Sequence, residues 1–138
     1  MNLYYKVKNT ISDFWYDFRR RCQRFKRGYA YSDVWDIDFW FIRTMRPMLI
    51  HLRDYGIGIP NDLYLQNAEN EREAWEAVLT EMINCLDMMG EDNVRKNLDL
   101  WYGKSLTSED YRLIRDTMKE NKNRFFELFS KYFYNLWD

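Results

Sequence analysis

Apolar side chains recur in steps of three and four along most of the chain, the period of an amphipathic helix and not the alternation of a half-buried strand. A first helix is predicted from Thr10 to Arg27. Ile11, Phe14, Trp15, Phe18, Cys22 and Phe25 form its stripe, Thr10 with Asp13 resembles a capping box, and Gly28 supplies the stop. A second helix is predicted from Ser32 to Asp54, with Val34, Phe41, Met45, Met48, Leu49 and Leu52 on one face. Pro47 lies inside that pattern and should kink or split the helix, because it lacks a backbone donor and its ring crowds the preceding turn. The segment YGIGIP, 55–60, ends the element. The third helix has Asn70 as its cap and Trp75, Val78, Leu79, Met82, Ile83 and Leu86 as its stripe, with Gly90 at its end. A short helix is expected over Asp92–Trp101. The last begins after Thr107, where Asp110 completes a capping box. It carries Tyr111, Ile114, Met118, Phe125, Leu128, Phe129, Tyr132, Phe133 and Leu136 nearly to the C-terminus, with Asn121 and Asn123 as weak points. The expected fold is all-α, a compact bundle or orthogonal array of four to five helices in a single domain over 1–138.

Composition sharpens this picture. Aromatic residues make up 19% of the chain, with only 5 Gly and 2 Pro, so large rings must fill a core and few breakers interrupt helices. Runs such as FWY at 14–16, FWF at 39–41, Trp101–Tyr102, Phe125–Phe126 and YFYNLW near the end cannot all face one core, so Trp15 or Tyr16, Trp40, Tyr102 and Tyr134 are expected at a second surface. No stretch of about 18 apolar residues is present, which argues against a membrane span. The N-terminus lacks a signal-peptide core. Cys22 and Cys85 form no spacing motif and sit on apolar stripes, which points to a cytoplasmic chain with two buried structural thiols.

Net charge is -1, but it is unevenly distributed. Residues 1–30 hold eight basic side chains against two acidic ones, net +6, so the remaining 108 residues sum to -7. The run RRRCQRFKR at 19–27 is either an anion site or a helix that pairs with later carboxylates. As an anion site it would use Arg20, Arg21, Arg24 and Arg27 to clamp phosphates, with Trp35 and Trp40 to stack on a base. Asp38 falls inside the second helix's stripe, where an ionised carboxylate costs several kcal/mol unless paired. An interhelical ion pair with Arg20, Arg21 or Arg24 is therefore expected. Asp33, Asp36 and Asp38 do not converge on a metal at that spacing. His51, the single histidine, is expected at the rim, and YGIGIPND lacks the pattern of a nucleotide loop. No catalytic residue, metal ligand or cofactor is predicted.

Three stretches in order, FKRGYAYSDVWDIDFWFIRTMRPMLIHLRD, then GIP with EREAWEAVLTEMINCLD, then FFELFSKYFYNLWD, resemble a group of small bacteriophage proteins of unknown activity. Those share an arginine-rich helix, an S-D-x-W-x-x-D segment, a GYP turn, a W-x-x-x-L-x-x-M-I helix and a terminal LF-x-K-YF-x-x-LWD. This chain departs from them at GIGIP, at Phe126 where a glycine is usual, and in EDNVRKNLDLWYGKSL. The resemblance implies a phage origin and a host-cytoplasm setting, with no catalytic residue to carry over. The combined expectation is a non-enzymatic accessory binding protein. It would be a counter-defence factor that inhibits a host immune protein or sequesters an anionic nucleotide signal, and a homo-oligomer would use its spare rings. Binding of nucleic acid, as a regulator, is the alternative.

Overall fold

A computed structural model describes residues 3–64, 70–100 and 105–137, with side chains placed from residue 13 onward except at 62 and 64. The described residues form helices and no strand: α1 (Leu3–Arg27), α2 (Ile37–Tyr55), α3 (Asn61–Tyr64), α4 (Glu71–Asp87), α5 (Glu91–Asn97) and α6 (Ser108–Tyr132), with 3-10 turns at Tyr31–Val34 and Phe133–Asn135. The all-α expectation holds. The contacts cluster into two units, 1–41 and 42–138, and each is described by itself.

The first unit is α1, the 3-10 turn and the opening of α2. The first helix begins at Leu3, so Thr10 lies inside it and does not cap it. Its end matches the sequence signal. Gly28 adopts φ +78, and its N–H donates to the Arg24 carbonyl at 2.8 Å, the single-bond left-handed cap that glycine adopts without steric penalty. The second helix does not start at Ser32. Residues 31–34 form a separate 3-10 turn, and α2 begins at Ile37. That break rotates everything before Ile37 out of the helical wheel on which the stripe was drawn.

The second unit is built around α4 and α6. Trp75, Leu79, Met82 and Leu86 on α4, Phe125 on α6 and Val94 on α5 are almost fully buried, joined by Leu49, Ile83, Ile114, Leu128 and Tyr132. Trp75 meets Tyr132 edge-on with ring centroids 5.2 Å apart, a geometry that aligns ring edges with ring faces. Each such burial contributes about 1.5–3 kcal/mol relative to exposure. The helix ends are capped as their residue types suggest. The Asn70 side chain accepts from the Glu73 N–H at 3.2 Å. Thr107 and Asp110 form a reciprocal capping box. Gly90 does not end α4, which is closed by Met88, but serves as the N-cap of α5. α5 stops at Asn97, short of Trp101, which together with Tyr102 lies outside the described residues. α3 is a single turn just after the YGIGIP segment, where no helix was expected.

Two polar ties brace this unit. Arg46 on α2 grips Asp87 at the end of α4 through two bonds of 2.6 and 2.9 Å. Arg72 on α4 donates to the carbonyls of Arg53, at 2.9 Å, and Gly56, satisfying carbonyls that the end of α2 leaves open. Pro47 sits within α2 without splitting it.

Candidate anion-binding site

Tyr16, Arg19, Arg20 and Gln23 lie at steps of three and four on α1 and therefore share one face. The chain reverses at Gly28 and brings Tyr31 and Ser32 back over that face. Three contacts hold it there. The Gln23 side-chain oxygen accepts from the Tyr31 N–H at 3.0 Å. The Arg27 guanidinium rests over the Tyr31 ring, 4.8 Å from its centroid. Arg24 donates to both oxygens of Asp33, from Nε at 3.0 Å and from Nη2 at 2.6 Å.

That last contact is the ion pair the sequence called for, on a different carboxylate. Asp33 is buried, and it also accepts from the Ala30 N–H at 2.8 Å. Asp38 is exposed and makes no ion pair with Arg20, Arg21 or Arg24 among the described residues. Asp38 keeps its place on the α2 wheel, and the expectation for it fails because the first turn of α2 is exposed, with Ile37 and Phe39 as open to solvent as Asp38. The 3-10 turn places the carboxylate that stands five residues earlier against α1 instead. The hydrogen bonds from Asp33 hold the Arg24 guanidinium protonated more firmly than usual. Arg24 is thereby a structural residue, not a free ligand for phosphate.

Tyr16, Arg19, Arg20, Gln23, Tyr31 and Ser32 enclose a cavity of about 230 Å³. No carboxylate lines it. Two of its lining groups are buried without a hydrogen-bond partner among the described residues, the Arg20 Nε and the Ser32 Oγ. The nearest acid to Arg20 is Asp17, at 3.8 Å, beyond hydrogen-bond range and worth little between exposed groups. The Arg20 guanidinium lies 5.4 Å from the Tyr16 ring centroid. A buried donor left unmade costs about 1–3 kcal/mol. An oxygen-rich anion would satisfy both groups, since the guanidinium N–H only donates and the hydroxyl donates or accepts.

The other expected ligand residues are dispersed. Arg21 is exposed and lines neither this cavity nor the one beside Trp40, and Arg27, also exposed, lies over the Tyr31 ring, with the Tyr31 hydroxyl holding its pKa above the usual value. Trp35 is 88% exposed and does not line this cavity. Trp40 lines a separate cavity of about 240 Å³ with Tyr29, Asp33, Val34 and Ile37. Stacking surfaces beside the arginines thus come from Tyr16 and Tyr31, not from Trp35 and Trp40. Arg19, Gln23 and Ser32 were missed. A polar residue facing a stretch of arginines across a glycine stop is the signal that could have found them.

The remaining candidates sort by burial. Cys85 is buried as expected, and desolvation pushes its thiol pKa up, with Glu81 adding to the rise. Cys22 is exposed, against expectation, as are its neighbours Phe14, Trp15, Phe18 and Phe25 on the same helix. His51 is exposed on α2, its ring 5.0 Å from that of Tyr55. Asp36 and Asp38 are both solvated while Asp33 is buried, so the three acids do not converge. No helix among the described residues is long and apolar enough to cross a membrane. No family model, no curated protein and no solved structure matches this chain.

Proposed function

We propose that this chain is a non-catalytic binding protein that captures a phosphate-bearing small molecule in the cavity between α1 and the 31–32 segment. The single observation that carries the reading is the pair of unpartnered buried donors, the Arg20 Nε and the Ser32 Oγ, in a cavity lined by cations and tyrosines and by no acid. At about 230 Å³ the cavity is smaller than the roughly 300–1,000 Å³ of pockets that enclose a whole drug-sized ligand. It suits a phosphate head group, with a base or sugar lying outside against Tyr16 or Tyr31. Arg19 would supply further charge. In the phage setting that the sequence resemblance implies, the protein would act in the host cytoplasm as a counter-defence factor, removing an anionic nucleotide signal from solution.

Calorimetric titration with pyrophosphate and with nucleoside mono- and triphosphates tests this. Arg20→Ala should weaken binding by about 10–100-fold, the worth of a charge-assisted hydrogen bond, and Ser32→Ala by less. Arg112→Ala, an exposed cation on α6, should change nothing. The rival reading, a nucleic-acid binder, draws on the exposed Arg21, Lys26 and Arg27. It requires oligonucleotide affinity that falls steeply with salt and is lost in equal measure on removing any of those three charges. Absence of phosphate-ligand binding at millimolar concentration would sink the proposal.

A further inference from the structure

On α1, Phe14, Trp15, Phe18, Cys22 and Phe25 fall within about 100° of one another at helical spacing, and every one of them is exposed. Phe25 is 93% exposed and Phe14 67%. Among the described residues the ring contacts of this row are internal to it, Phe14 with Trp15 and Trp15 with Phe18. The cavity-lining residues Tyr16, Arg19, Arg20 and Gln23 are turned on average about 140° away, with Arg19 bordering Trp15 at the edge of the row, so covering the apolar row leaves the side of the cavity at Tyr16, Arg20 and Gln23 open.

We propose that this row is the interface of a homodimer in which two α1 helices pair antiparallel. Charge selects both the partner and the direction. Before Phe18 the helix carries Asp13 and Asp17 with Lys6 and Lys8, net zero, whereas Arg19, Arg20, Arg21, Arg24, Lys26 and Arg27, all positive, follow it. A parallel pair would stack the basic ends on each other. An antiparallel pair centred near Phe18 sets Asp17 of each copy beside Arg21 of the other, and Arg21 has no ion-pair partner among the described residues. The area is adequate. Four rings exposed by half or more present roughly 500 Å² per copy, about 1,000 Å² for the pair, and the flanking side chains carry it toward the roughly 1,200 Å² at which stable interfaces begin.

Sedimentation of the full chain should show a dimer at micromolar concentration. Phe18→Glu should raise the dissociation constant at least about tenfold, as loss of a central aromatic anchor does, with helical circular dichroism unchanged. Oxidative cross-linking reports the direction. Centred on Phe18, the two Cys22 residues sit about 12 Å apart along the axis, too far for the roughly 7 Å Cα limit of a disulfide. The wild-type chain should therefore not cross-link, whereas Phe18→Cys combined with Cys22→Ser should. A monomer at all concentrations, a Phe18→Glu variant that still dimerises, or ready Cys22 cross-linking between copies would each overturn the proposal. The reading of the anion cavity is separate, since phosphate titration of the Phe18→Glu variant tests it without the dimer.

Discussion

At Asp33 three bonds converge on one buried carboxylate, two from Arg24 and one from the Ala30 N–H. Removing it strands a backbone donor and a guanidinium, so Asp33→Ala should lower stability by about 2–3 kcal/mol. Asp38→Ala, at a solvated site, should stay within about 0.5 kcal/mol. Urea unfolding followed by circular dichroism separates the two, and equal effects would contradict this assignment. The cysteines give a second contrast. Burial raises the Cys85 pKa, so the folded chain keeps that proton to higher pH than the unfolded chain does. The associated stability is intact below the ordinary thiol pKa of about 8.5 and is lost as pH rises beyond it. The urea midpoint should therefore fall on going from neutral to strongly alkaline pH, less so in Cys85→Val. At neutral pH a thiol reagent should label Cys22 at once and Cys85 only on unfolding. Both aspartates and both cysteines look alike in the sequence, since each sits near an apolar stripe. Only the partner segment, invisible to a helical wheel, distinguishes them.

Three helix ends were legible, whereas those expected at Thr10, Ser32, Gly90 and Trp101 fell elsewhere. Asn70, Thr107 with Asp110, and Gly28 each act where their short-range chemistry places them, because a cap involves neighbours only three or four residues away. The 3-10 break before Ile37 was not legible, because Ser32 and Asp33 are as good at opening a helix as at forming a tight turn. One end carries a testable imperfection. Asp99 occupies the left-handed position with φ 57. It closes α5 through bonds from its own N–H to Lys96 and from the Leu100 N–H to Arg95, the paired-bond arrangement that glycine usually fills. An acid there is also opposed by the helix dipole. Asp99→Gly should raise stability by about 0.5–1 kcal/mol in thermal or urea unfolding, and a loss would show that the Asp99 side chain makes a compensating contact.

For the whole molecule, two features stand apart. The 42–138 unit buries its best rings between α4 and α6, whereas α1 leaves Phe14, Trp15, Phe18, Cys22 and Phe25 exposed while using its opposite face to hold the 31–33 segment. A helix with one engaged face and one bare apolar face is expected to find a partner. The proposed antiparallel pairing and the proposed anion site therefore draw on different faces of a single element.

The sequence by itself determined the helical class, the helix ends at Gly28, Asn70 and Thr107 and the buried row of α4, because periodicity and capping act over one or two turns. The tertiary structure decided which arginine meets which acid, which rings stay bare, and that Arg20 and Ser32 share a cavity. Those outcomes depend on how the chain reverses at Gly28 and where α2 starts. A shift of a few residues in either rotates every downstream side chain to a different face, and no local pattern records that rotation.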